Sequence, residues 1–225
     1  MSKNIVTDFR KFAISNTKAS PSVVDDTISK VNNGTLTPLI LEEREMNVMG
    51  LDIFSRLLLD RQVFFGAEFN QDTCNLLVAQ LLYLDSVDNR DINIMINSCG
   101  GSVVDGLAVI DTMNFIKSDV ATSCVGMAAS MGALLLSSGV NGKRYILPHG
   151  RVMIHQVSSF MKGTFSDMKI EFEQTERCSK DIYTILSKNM GKEIEEVEKL
   201  CDRDNWFIGQ EAIDIGLCDK LLVRE

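Results

Sequence analysis

The sequence has no surplus of positive charge, no C-x-x-C pair, and no apolar stretch at its start long enough for the core of a secretory signal. Lys and Arg number 23 against 31 Asp and Glu, for a net charge of -8. Nucleic-acid affinity rests on cations that neutralise phosphates, so DNA, RNA and anionic membranes are excluded as expected partners. Six cysteines (Cys74, Cys99, Cys124, Cys178, Cys201 and Cys218) are scattered without ligand spacing. That pattern argues against a zinc cluster or a disulfide framework and in favour of small buried hydrophobes. Without a signal core, the cytoplasm is the expected compartment. Histidine is the scarcest chemically useful residue, occurring only as His149 and His155.

What remains reads as an ordinary globular chain, 45% hydrophobic and 24% charged, long enough for one well-buried domain with a small appendage. Val120 to Gly142 carries no charge and has the length of a membrane helix, but it is rich in Ser, Thr, Gly, Asn and Cys. A buried strand, a tight turn and a buried helix are therefore expected there. Residues 1–35 mix polar and short apolar pieces up to Asn32, Asn33 and Gly34, and read as an N-terminal extension, flexible or processed, with at most one short helix.

From about Asp72 the pattern is regular. Leu76, Leu77, Leu81, Leu82 and Leu84 mark an amphipathic helix, and Ile92 to Asn97 a buried strand. Ser102, with Asp105 three residues on, opens a helix whose Leu107, Ile110, Phe115 and Ile116 are expected to face the core. A strand near Val120 to Val125 runs into G-M-A-A-S-M-G and a second helix. Two short strands flank the turn Pro148, His149, Gly150, with proline at a strand edge. A long charged helix runs from about Ser166 to a stop at Gly191, with Ile182, Ile185, Leu186 and Met190 as its apolar stripe. Strands alternating with helices predict an α/β fold.

Serine is a weak nucleophile and needs a neighbouring base and donors for the developing oxyanion. Ser130 sits between an apolar strand and an apolar helix, a setting in which the hydroxyl can be held out of the turn. The pattern alone also fits a crowded turn with no chemistry. His155 ends the run RVMIH, where an imidazole can be aimed across a sheet edge; a structural histidine would look the same. His149, in a turn, is expected to be exposed, and Ser102 is explained as a helix cap. The third member of such a site is a carboxylate on the other imidazole nitrogen. Asp204 is attractive because Trp206 and Phe207 beside it suggest partial burial, and Asp202 fits nearly as well.

The run INSCGGSVVDGLAVIDTMNFI resembles the INSPGGSV region of Clp protease proteolytic subunits. GMAASMGALLLSSG resembles their nucleophile motif, VMIHQV their MIHQP base motif, and DRDNWFIGQEAIDIGLCD their acidic segment. The four motifs occur in the family's order, and the similarity spans residues 36–225, taken as the proteolytic domain. The resemblance implies Ser130 as nucleophile, His155 as base and Asp204 as the acid orienting it, with the backbone N–H groups of Gly101 and Met131 forming the oxyanion hole. It implies a crotonase-like superhelix of ββα units with a projecting handle over about residues 158–192, and a serine endopeptidase assembled as two stacked seven-membered rings. Asp202 and Arg203 would pair across the rings. Unfolded polypeptide would come from an AAA+ Clp unfoldase of the ClpX or ClpA/ClpC kind. This chain has no G-x-x-x-x-G-K-[ST] loop, so ATP is assigned to that partner and no cofactor or metal to this chain.

Three positions depart from the family pattern. Cys99 and Val157 stand where prolines are usual, which frees two turns beside the site, and Met95 replaces a frequent aromatic associated with the apolar pocket for the ATPase. These departures leave two rival readings: a ring subunit that has lost catalysis and serves a structural role, and an acyl-CoA enzyme of the crotonase fold.

Overall fold

A computed structural model describes residues 39–44 and 47–224, with side chains described from Asp52 onward. The expected extension at 1–35 lies outside the described residues. These fall into two compact units, one reaching Asp60 and one beginning at Arg61. In the first, β1 (Leu39–Arg44) and β2 (Asn47–Asp52) form an antiparallel hairpin that leads into α1 (Ile53–Leu59). Asp52 caps α1 by accepting from the N–H groups of Phe54 and Ser55, both at 3.0 Å.

The second unit is built on a seven-stranded sheet. Its first strands, β3 (Gln62–Phe65), β4 (Ile92–Ser98) and β5 (Val120–Ala129), are parallel neighbours in sequence order. The crossovers are α2 (Gln71–Val87) and α3 (Val103–Phe115), so each strand–helix–strand step repeats the last. β5 is long enough for two further neighbours. Its first half pairs with β6 (Arg144–Ile146) and its second with β7 (Arg151–Ile154). The α4 helix (Met131–Ser137) lies between β5 and β6 in the chain. β6 pairs with β9 (Lys220–Leu221), and β7 pairs antiparallel with β8 (Asn205–Ile208).

Ile92, Ile94 and Ile96 on β4 are completely buried, as are Leu134, Leu135 and Leu136 on α4 to within 2%. Each such side chain contributes about 1.5–3 kcal/mol through burial. The uncharged stretch from Val120 is thus a strand, a turn and a short helix inside the sheet's core. Among the described residues no helix is long and apolar enough to cross a membrane.

Three expected core residues face outward. The buried stripe of α2 is Cys74, Leu77, Leu81 and Leu84, spaced by three or four, which leaves Leu76 and Leu82 one position off it and exposed. Phe115 is the last residue of α3 and 82% exposed; the chain turns there, and the following Ile116 goes inward instead. Of the six cysteines, five are buried and Cys99 is exposed.

The long helix α5 (Phe165–Met190) begins at Thr164, which forms a capping box with Asp167, and stops at Gly191 in the left-handed region. Its C-terminal half buries Cys178, Ile182, Leu186 and Met190, whereas Phe165, Ile170 and Phe172 in its N-terminal half are exposed. Two short helices, α6 (Ile194–Leu200) and α7 (Gln210–Asp214), complete the unit.

Candidate active site

Ser130 occupies the single residue between β5 and α4. Its carbonyl starts the helix by accepting from Ala133 and Leu134, while its N–H donates to Met153 O on β7 at 2.8 Å. A serine at a helix N-cap ordinarily turns its hydroxyl onto the helix N–H groups. Here φ is +54° and ψ is -120°, and no side-chain cap bond forms. A positive φ is costly for a residue with a Cβ, and such strain persists only where the surroundings enforce it. The consequence is a hydroxyl directed away from α4. It lies 2.9 Å from His155 Nε2.

His155 follows the last residue of β7, and Asp204 precedes the first residue of β8. Because β7 and β8 are antiparallel with Ile154 opposite Asn205, the next pair outward is His155 and Asp204. The sheet register thus delivers the contact between His155 Nδ1 and Asp204 Oδ1, at 3.1 Å. Gln156 Nε2 also donates to Asp202 O at 2.7 Å, tying the segment before Asp204 to the residue after His155.

The expected partial burial of Asp204 is not what the structure shows. Its side chain is 65% exposed, and Trp206 is itself 45% exposed. The reason is its position just beyond the paired end of β8, where none of the described elements covers it. The alternative carboxylate, Asp202, faces Arg203, with 3.8 Å from Oδ2 to Nε. His149 is exposed, as expected of a turn residue.

Gly100 and Gly101 follow the end of β4 with φ of +97° and +143°. Phe69 N–H donates to Gly100 O and Ser102 N–H to Phe69 O, both at 2.8 Å, so Gly101 itself is held with its N–H free of any acceptor among the described residues. Met131 N–H, at the first position of α4, likewise has no acceptor among the described residues. Gly101, Ser130, Met131 and His155 line one small cavity of about 60 Å³, with apolar walls from Val103, Leu134 and Ile182. Among the described residues no group of His, Cys, Asp and Glu is arranged to hold a metal ion.

A serine, a histidine and an aspartate in a hydrogen-bonded line, beside two free backbone donors, define the class of serine hydrolases. Comparison with known proteins narrows that class. The Clp protease family model matches residues 44–225. The ATP-dependent Clp protease proteolytic subunit of Bacteroides fragilis (strain YCH46) is 49% identical over 219 residues, covering 97% of this chain and 99% of the relative. That of Bacteroides thetaiotaomicron is also 49% identical, over 97% and 99% of the two chains. The Porphyromonas gingivalis subunit is 45% identical over 96% and 98%. The chain belongs to the Clp protease family, with the α/β fold of that family.

Proposed function

We propose that this chain is the serine endopeptidase subunit of a compartmentalised, ATP-dependent Clp protease that cleaves unfolded polypeptides. The observation that carries the reading is the continuous line from Ser130 Oγ through His155 to Asp204. With His155 Nδ1–H donating to Asp204, Nε2 is the acceptor that takes the proton as Ser130 Oγ attacks the peptide carbonyl. The oxyanion that develops is met by the N–H groups of Gly101 and Met131, fixed in place before the substrate arrives. His155 then gives its proton to the leaving amine. Water, activated by the same nitrogen, hydrolyses the acyl-enzyme.

The partner is an AAA+ Clp unfoldase that uses ATP, and the similar curated subunits carry "ATP-dependent" in their names. Assembly into two stacked seven-membered rings would cover the exposed Phe160, just before α5, and Phe165, Ile170 and Phe172 in its N-terminal half. The cytoplasm, where an ATP-driven unfoldase works, is the compartment that fits.

A fluorophosphonate probe tests the reading directly. Wild-type protein should be labelled at Ser130 and should hydrolyse short peptides; Ser130→Ala should lose both, with a rate loss on the order of 10⁴-fold or more, while the assembly persists. Peptidase activity near wild type in the purified variant would remove Ser130 from the mechanism. A folded wild-type protein that neither labels nor hydrolyses peptides would favour a structural ring subunit.

A further inference from the structure

The pairing of β4 with β5 is interrupted just before the nucleophile. Ile96 lies opposite Cys124, yet Ser98, two residues on, lies opposite Ala128, four residues on. β5 therefore carries two extra residues at this point, a bulge of the kind that re-aims a strand. The bulge marks a change of partner: Thr122 to Cys124 pair with β6, and Met127 to Ala129 pair with β7. Since β7 leads to His155 and β5 to Ser130, the register after the bulge decides whether the hydroxyl meets the imidazole. A one-residue slip would send Ser130 to the wrong face.

Bulged residues lose their ladder partners, so something else must hold them. Asn97, between the two paired positions on β4, supplies that hold. Its Oδ1 accepts from Met127 N–H at 3.1 Å, and its carboxamide lies over Gly126, where an added Cβ would come within 2.5 Å of Oδ1. The next residue secures the other side. Ser98 is 2% exposed, and its hydroxyl donates to Ala67 O and accepts from Gly100 N–H at 3.2 Å. Adjacent side chains of β4 thus pin the glycine turn that carries Gly101 and the strand that leads into Ser130 and Met131.

We propose that Asn97 is a positioning residue for catalysis: its carboxamide oxygen takes the place of a missing ladder acceptor and fixes the β5 bulge that sets Ser130 and Met131 against His155. This rests on the serine-peptidase reading above. Misplacing a reacting group by about 1 Å costs on the order of 10²-fold in rate, and the cost falls on the transition state more than on substrate binding.

The test is steady-state hydrolysis of a short fluorogenic peptide by the assembled protein. Asn97→Leu keeps the heavy-atom count and the branching at Cγ and removes the acceptor; it should lower kcat on the order of 10- to 100-fold with KM nearly unchanged, and slow fluorophosphonate labelling of Ser130 in parallel. Asn97→Asp keeps the acceptor and should retain most of the kcat. If Asn97→Leu fails to fold, Gly126→Ala probes the same contact from the opposite strand, because its methyl need only push the end of the Asn97 side chain aside. It should reproduce the kcat loss. Wild-type kcat in Asn97→Leu or in Gly126→Ala would overturn the inference, as would equal losses in the Leu and Asp variants. A loss expressed as raised KM at constant kcat would overturn it too. None of these outcomes touches the serine-peptidase reading, which stands or falls with Ser130→Ala.

Discussion

Gly100 and Ser130 approach so closely that a Cβ on the glycine would lie 2.7 Å from the serine Cβ and 2.7 Å from Ala129 O. The glycine turn and the nucleophile turn are therefore packed backbone against backbone, and the space between them has no room for a side chain. Gly100→Ala would also have to hold φ of +97°, which an L-residue rarely adopts. The neighbouring atoms are backbone and Cβ, which cannot swing away. Peptidase activity in Gly100→Ala should fall by about 10²-fold or more as Ser130 is displaced, with a stability loss of about 1–3 kcal/mol. Kinetics and thermal unfolding read the two effects separately; near-normal turnover would mean that the two turns can part without harm.

Asp204→Asn should be severe, on the order of 10⁴-fold in kcat, since an amide favours the wrong imidazole tautomer and cannot stabilise the imidazolium. Asp202→Asn should be milder, because the Asp202 side chain faces Arg203 and its backbone carbonyl accepts from Gln156. Comparison at saturating peptide decides between them. The reverse ranking would make Asp202 the acid.

The ion pair of Arg144 with Asp219 should set part of the acid stability. Arg144 is 5% exposed and also donates to Ser137 O, Asn189 O and Gly216 O, joining the ends of α4 and α5 to the C-terminal strand. Burial alone would raise the Asp219 carboxyl, but hydrogen bonds from Arg144 and from Gly142 N–H outweigh it and hold the pKa below the ordinary 3.8. A carboxyl depressed in the folded state contributes stability that is fully present above pH 3.8 and is lost as pH falls through the lower folded value. Asp219→Asn should lower stability near neutrality by about 3 kcal/mol, because it leaves Arg144 buried without its counter-charge. It should also flatten the acid limb of the stability curve. Urea unfolding from pH 7 down to pH 3 measures both, and an unaltered acid limb would assign it to other carboxylates.

Much of this molecule is legible in the order of its residues because its signals are local. The caps at Ser102 and Gly191, the strand Ile92 to Asn97 and the turn at Pro148 depend on neighbours in sequence, and each lies where the pattern puts it. The contact of Asp204 with His155 depends on antiparallel register between segments 49 residues apart, which composition cannot supply. The apolar neighbours of Asp204 do not bury it: Trp206 is itself 45% exposed. In the sequence Asn97 is only the end of a buried strand. Its one signal was a polar side chain on an isoleucine-rich strand beside a glycine-bearing one, and the bulge that explains it appears only once the two strands are paired.

Arg203 offers the last prediction, joining assembly to chemistry. It lies between Asp202 and Asp204 in sequence and is 87% exposed, and its ion pair with Asp202 spans 3.8 Å at the surface. A pair so long and so wet contributes little within one chain, which leaves both groups able to engage another subunit. If Arg203 pairs with Asp202 of the opposing ring, ring contact restrains the backbone next to Asp204, and Asp204 has no burial of its own to hold it against His155. Separating the rings should then loosen the triad although none of its members has changed. Arg203→Ala should shift the protein from double to single rings in sedimentation velocity and lower peptidase activity in parallel. A variant that stayed a fully active double ring would reduce Arg203 to a surface charge. One that split into single rings with full activity would keep the interface and sink the coupling.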